Sequence, residues 1–259
     1  METLRELWSA GGTSFGAWLA IPSTISAEGA ARTGPEYVCV DNQHGANDYQ
    51  ITVSMIQAIE LGGSRPIVRV PWNEPGIIGK MLDAGAQAII VPMVNTAAAA
   101  TAVVDACLYA PLGSRSHGPL MAAMRVDAYQ PNANAKIAPI PMIETVEAMR
   151  NLDEILAVPG VTAIYVGPAD LSLSLGLAPG NNDGNELFDD ALATIVAACT
   201  KAGVVPGIHA TGALAGRRLE QGFRMITIAG DMLSMRTHIA SELAQARGSL
   251  PTSGPASMY

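Results

Sequence analysis

The chain alternates between two kinds of apolar pattern. Short, nearly continuous apolar runs occur at 15–21, 37–42, 65–70, 87–94, 136–144, 161–167, 204–210 and 224–230. Between them lie longer stretches with helical periodicity, among them DYQITVSMIQAIELGG, EPGIIGKMLDAG, TVEAMRNLDEILAVPG and NELFDDALATIVAACTKAG, several closed by a helix-ending glycine. Strand and helix in strict alternation predict parallel βαβ units. Continuous rather than alternating hydrophobicity means strands covered on both faces, as in a closed barrel ringed by helices. An open doubly wound sheet is the competing arrangement, but no GxGxxG follows the first run. The expectation is an α/β chain with one (β/α)8 barrel over 1–247 and a flexible Gly, Ser and Pro-rich tail over 248–259.

Two segments inside the barrel break the rhythm. Residues 110–137 form a connection far longer than usual, and long ordered loops are commonly functional. The polar stretch GLAPGNNDGNE follows the sixth strand.

Composition narrows the function. The 259 residues include 49 % hydrophobic and only 5 % aromatic residues, and the formal net charge is −8, so neither a basic groove nor a stacking platform for nucleic acid is present. Cys39, Cys107 and Cys199 each lie in an apolar run with no CxxC or Cys/His pairing, which predicts buried thiols in a reducing compartment. The N-terminus METLRELWSAGG lacks the pattern of a targeting signal, and no apolar run approaches the ~20 residues that cross a bilayer. A cytoplasmic protein without membrane or nucleic-acid partners is expected.

In such a barrel chemistry gathers at the C-terminal ends of the strands. Those ends carry Asp41 and His44, Arg69, Glu144 and Asp170. Glu144 and Asp170 follow consecutive strands, so they should face each other, and two carboxylates that close repel unless a proton or cation is shared. Oxygen ligands without His or Cys suit a hard divalent ion. The competing reading makes Glu144 a helix-capping acid at ETVEAM and Asp170 an N-cap before LSLSLG. An interior Arg69 needs an anion, either a structural acid or a substrate carboxylate. His44 lies in a loop as a proton-transfer base or as a backbone-bonded side chain.

The segments VDNQHGANDY, RPIVRVPWNEPGIIGKMLDAGAQAIIVPMVNT, PLGSRSHGP, PMIETVEAMRNLDEILAVPGVTAIYVGPADLS and IAGD, in this order, make the chain resemble the metal-dependent class II pyruvate aldolases of the HpcH/HpaI family. The resemblance implies a (β/α)8 homo-oligomer, often a hexamer that exchanges its last helix. It also implies carbon–carbon lyase chemistry between a 2-oxo acid, pyruvate or hydroxypyruvate, and an aldehyde. By the same resemblance Glu144 and Asp170 hold Mg²⁺ or Mn²⁺, with Co²⁺ an alternative, and Arg69 binds the keto oxygen. Gly167 and Ala169 orient the substrate carboxylate, while His44 paired with Asp83 moves protons through a water on the ion. Asp83 lies late in its helix, so either the chain bends it inward or a neighbouring subunit supplies it.

Gln43 and Met142 depart from the family's commoner Glu and Gln, which bears on substrate detail. Arg115 and His117 read either as an acceptor lid or as solvated loop, His209 as core or as an aldehyde contact, and His238 as structural. HATGALAG and IAGD occupy the place where many barrels bind phosphate. Two other functions compete: a CoA-ester lyase, whose basic groove would have to come from GRRLEQGFR, and a noncatalytic binding barrel.

Overall fold

The computed structural model describes residues 2–248. The expected flexible tail lies outside them but for Gly248. Eight parallel strands close in sequence order: β1 Ser14–Leu19, β2 Tyr37–Asp41, β3 Arg65–Arg69, β4 Ala88–Val91, β5 Ala138–Ile143, β6 Ala163–Val166, β7 Val205–His209 and β8 Met225–Gly230, with β8 pairing back onto β1. The (β/α)8 barrel expected from the sequence is thus the observed fold. Among the described residues no helix is long and apolar enough to cross a membrane.

The strands are shorter than the apolar runs, for local reasons. The run at 87–94 stops pairing at Val91, because Pro92 has no N–H and Met93 turns the backbone left-handed at φ 54°. The run at 161–167 stops at Val166, where Gly167 caps a helix beginning at Pro168. Two other expectations also change, one of a single helix and one of a long loop. The segment 145–160 is two short helices, Val146–Arg150 and Leu152–Leu156, broken at Asn151. The connection 110–137 carries helices Leu120–Arg125 and Tyr129–Lys136.

Side chains alternate across each strand and divide the core in two. One set, including Val38, Val40, Val68, Ile89, Val91, Ile164 and Val166, packs outward against the helices. The other, including Trp18, Tyr37, Cys39, Ile67, Ile90, Ile140, Met142 and Tyr165, fills the barrel. Leu4 and Trp8 from the helix Leu4–Ser9 plug the floor, and Trp8 Nε1 donates to Ser14 Oγ at 3.0 Å. Tyr37 and Tyr165 fit inside only because their neighbours lack side chains. A Cβ on Gly16 would overlap the Tyr37 ring, and one on Gly207 would press against Tyr165 and the Ile164 carbonyl.

Gly16→Ala should therefore destabilise the barrel by about 1–3 kcal/mol in denaturant unfolding, whereas Gly212→Ala, with open space around its Cβ position, should be near neutral. Equal stability of the two variants would contradict this packing.

Candidate active site

The inner alternation carries polar residues to the mouth at the C-terminal end. Tyr37 and Cys39 point inward, so Asp41 does too; Ile67 points inward, and so does Arg69. The two are register partners, and their side chains form a two-pronged ion pair: Arg69 Nε donates to Asp41 Oδ1 at 2.8 Å and Nη2 to Oδ2 at 2.6 Å. Trp18 Nε1 donates to Asp41 Oδ2 at 3.1 Å, and the Arg69 guanidinium lies 4.9 Å from the Trp18 ring centre. Burial works against charge on both partners, yet the pairing lowers the Asp41 pKa and raises that of Arg69. The buried guanidinium therefore has a structural acid. Its Nη1 makes no hydrogen bond within the described chain and is not sealed from solvent.

Glu144 follows Met142 on the inner face and is only 2 % exposed. Its Oε1 accepts from the Met93 N–H at 2.8 Å, and its Oε2 is buried with no partner. It does not cap the following helix, because Thr145 does. Burial first, opposed by the Met93 N–H and reinforced by the charge of nearby Asp170, pushes the Glu144 carboxyl up to about 7. Asp170 is exposed at the mouth in the first turn of the helix Pro168–Ser174, whose N-cap is Gly167 rather than Asp170.

A divalent cation fits these residues. One buried carboxylate oxygen has no partner, a second acid stands beside it, and a Cβ on Gly167 would overlap the partnerless oxygen, so the glycine keeps its approach open. No group of three or more His, Cys, Asp or Glu converges among the described residues, so the protein offers two carboxylates and leaves other positions to water or substrate.

The mouth encloses a cavity of about 270 Å³ lined by Trp18, His44, Arg69, Met142, Tyr165, Gly167, Pro168, Ala169, Asp170, Gly180, Asn181 and His209. Of the larger cavities, those of about 680 and 380 Å³ lie at the barrel's other end, around residues that precede β6 and β7 and residues that precede β3 and β4; one of about 610 Å³ lies along residues 117–131, and one of about 580 Å³ adjoins the mouth, sharing Trp18 and His209 and extending to Asp231 and the last helix. The mouth is where the acids, the guanidinium and two histidines converge.

With that geometry in view, comparison with known proteins is decisive. The family model described as HpcH/HpaI aldolase/citrate lyase matches residues 14–237. The chain belongs to this family. It is 38 % identical over 249 residues to a hydroxypyruvate/pyruvate aldolase of Rhizorhabdus wittichii, covering 95 % of this chain and 99 % of that protein. It is 36 % identical over 263 residues to a 4-hydroxy-2-oxo-heptane-1,7-dioate aldolase of Shigella sonnei, covering 100 % and 99 %. An HpcH/HpaI aldolase/citrate lyase family structure from Burkholderia cenocepacia superposes with TM-score 0.88 at 31 % identity, covering 95 % of this chain and all of the other.

Not every residue singled out in this family member reaches the mouth. His44 does, and its ring has no partner among the described residues. Asp83 does not meet it; near the C-terminal end of the helix Pro75–Ala84 it accepts from Arg115 Nη2 at 2.6 Å. Arg115 is neither lid nor solvated loop, since it is buried between Asp83, Tyr109 and Tyr129. His117 is exposed beside Tyr109, and His238 is exposed on the last helix. At the proposed phosphate position Asp231 accepts from the N–H groups of Ala20 and Ile21, both at 3.0 Å, so the amides after β1 already have an anion.

Sequence reasoning overlooked Trp18, Tyr165, Met93 and Asn181. The first two looked like core aromatics, and Met93 contributes only its main chain. The proline at 92, inside the apolar run 87–94, was the available signal that the strand ends before Met93.

The raised Glu144 pKa sets a testable pH dependence. Its folded value lies above the reference 4.5, so its contribution favours folding at low pH and is lost as pH rises toward about 7. In chelator-treated protein, Glu144→Gln should match wild type near pH 4.5 and exceed it by up to about 3 kcal/mol above pH 7 in denaturant titrations. A difference that does not change with pH would contradict the environment described.

Proposed function

We propose that the chain is a metal-dependent aldolase that makes and breaks a carbon–carbon bond beside the keto group of a 2-oxo acid, pyruvate or hydroxypyruvate, with an aldehyde as the second reactant. The observation that carries this reading is the partnerless buried oxygen of Glu144 beside Asp170, at a mouth where Arg69 keeps Nη1 free. The names and near full-length overlap of the R. wittichii and S. sonnei relatives support the same chemistry.

In the cleavage direction the 4-hydroxyl loses its proton, the C3–C4 bond breaks, an aldehyde leaves, and the electron pair remains on the 2-oxo acid as an enolate that takes a proton at C3. Held by Glu144 and Asp170, Mg²⁺ or Mn²⁺ would supply a Lewis acid for the keto and carboxylate oxygens. Arg69 donates from Nη1 to the keto oxygen, where enolate charge accumulates, while Asp41 and Trp18 hold the guanidinium plane. Ala169, in the first helical turn after Gly167, has an N–H without an intrahelical acceptor and turns it to the substrate carboxylate. His44 transfers the proton, and Asp83 reaches it from a second copy of the chain. Lys80, Lys136 and Lys201 all sit on helices rather than at strand ends, so no imine chemistry is required.

The CoA-ester alternative loses its basic groove. Arg218 and Arg217 are bound to Asp183, Arg217 also to Asp189, and Arg224 to the carbonyls of Trp8 and Gly12. A homo-oligomer, hexameric as the resemblance implies, suits the helix Asp231–Gly248. No residue of it is buried in the single chain, and Met232, Met235, Ile239 and Leu243 form an exposed apolar stripe at helical spacing.

Chelation should abolish release of pyruvate from simple 4-hydroxy-2-oxo acids, and Mn²⁺ or Mg²⁺ should restore it. Asp170→Asn should lose metal-dependent turnover with an unchanged circular dichroism spectrum, and Arg69→Ala should lower kcat by about 10²–10³-fold. Full turnover in chelator, or a change in KM alone for Arg69→Ala, would contradict the proposal.

A further inference from the structure

The mouth has a second wall that the donor chemistry does not use. The loop between the helices Pro168–Ser174 and Glu186–Ala202 brings Gly180 and Asn181 to the cavity. A buried guanidinium fixes it from behind: Arg218 Nη1 donates to Asp183 Oδ1 at 2.7 Å and Nη2 to Asp183 Oδ2 at 2.8 Å. Nη2 also donates to Asn181 Oδ1 at 2.8 Å, and Nη1 to Gln221 Oε1 at 2.7 Å. With its oxygen engaged by Arg218, the Asn181 side chain retains an amide NH₂ that has no partner among the described residues and is not sealed from solvent. Asn181 lines the mouth, so this NH₂ is available to a ligand there.

His209, at the end of β7, supplies a matching group. Its Nδ1 lies 3.3 Å from Tyr165 Oη, which is itself 2.5 Å from Thr227 Oγ1. Trp18 packs edge-on against the ring with 5.2 Å between centres. Burial and the nearby Arg69 charge hold the imidazole neutral, pushed down to about 4. Whichever way the Tyr165 bond runs, Nε2 is one neutral hydrogen-bonding atom, and it too is neither partnered nor sealed.

Charge is distributed unevenly around the cavity. Arg69, neutralised by Asp41, is the one Lys or Arg among its lining residues. A second carboxylate on the aldehyde would find no unpaired Lys or Arg among these lining residues. A hydroxyl, which both donates and accepts, suits an amide NH₂ and a neutral imidazole.

We propose that Asn181 and His209 form the acceptor end of the site and select an uncharged, hydroxylated aldehyde over an apolar one and over one bearing a carboxylate. Arg218 acts as a positioning residue through Asn181 Oδ1. This inference rests on the aldolase reading. It separates this chain from the activity named for its S. sonnei relative, because cleaving 4-hydroxy-2-oxo-heptane-1,7-dioate between C3 and C4 releases an aldehyde that carries a carboxylate.

The test uses the Mn²⁺-loaded full chain, pyruvate as donor, and glycolaldehyde, propanal or 4-oxobutanoate as acceptor. Glycolaldehyde should give kcat/KM at least about tenfold above each of the others. Asn181→Ala and His209→Leu should each reduce the glycolaldehyde-to-propanal ratio about three- to tenfold, and His209→Gln should keep more of it than His209→Leu. Each ratio is taken within one preparation, so loss of folded protein cancels. Exchange of pyruvate methyl protons in D₂O, followed by NMR, reports enolate formation without any acceptor. No exchange in the wild type would overturn the aldolase reading itself. Exchange with a preference for 4-oxobutanoate, or with ratios unmoved in both variants, would overturn the acceptor assignment alone.

Discussion

A carboxylate in the wrong solvent organises this active site. Glu144 sits on the inner face of β5 with one oxygen held by a main-chain N–H and the other facing nothing, next to a second acid. Desolvation and like charge both oppose its ionised form and push the carboxyl up to about 7. A divalent cation held there, as proposed, would replace the carboxyl proton and relieve both costs together. The glycine at 167 leaves the partnerless oxygen room that a Cβ would fill, while the left-handed turn at Met93 brings a main-chain N–H to the other oxygen.

The same logic governs the other side of the mouth with the opposite outcome. Arg69 is also buried, but its acid is built in, two strands meeting in register at Asp41 and Arg69. The guanidinium is locked by two bonds and an aromatic face, so it offers one nitrogen in a fixed direction without reorganisation. Below it Tyr37, Thr227 and Tyr165 form a hydrogen-bonded inner layer that carries on to His209. The barrel interior thus orients the catalytic layer from beneath, and the loops complete it from above.

Much of this was legible from the chain because charge is scarce in it. With 15 % charged residues, an acid or arginine at the end of an apolar run stands out, and period-two alternation then tells which of them face inward. What stayed hidden has physical causes. The Met93 amide leaves no mark in side-chain chemistry, and Tyr165 and Trp18 read as ordinary core until their polar atoms are placed. Helices such as YQPNANAK carry too little apolar periodicity to be seen without the barrel they lean on. Arg115 read as lid or solvated loop because the tyrosines that bury it lie before and after its loop.

The central claim is that Glu144 and Asp170 share one divalent ion. Titration of chelator-treated protein with Mn²⁺, followed by the loss of the free-ion signal in electron paramagnetic resonance, measures it without reference to turnover. The account predicts one tight Mn²⁺ per chain in the wild type, weakened at least about a hundredfold in a Glu144→Gln, Asp170→Asn double variant of intact fold. Wild-type affinity in that double variant would contradict it.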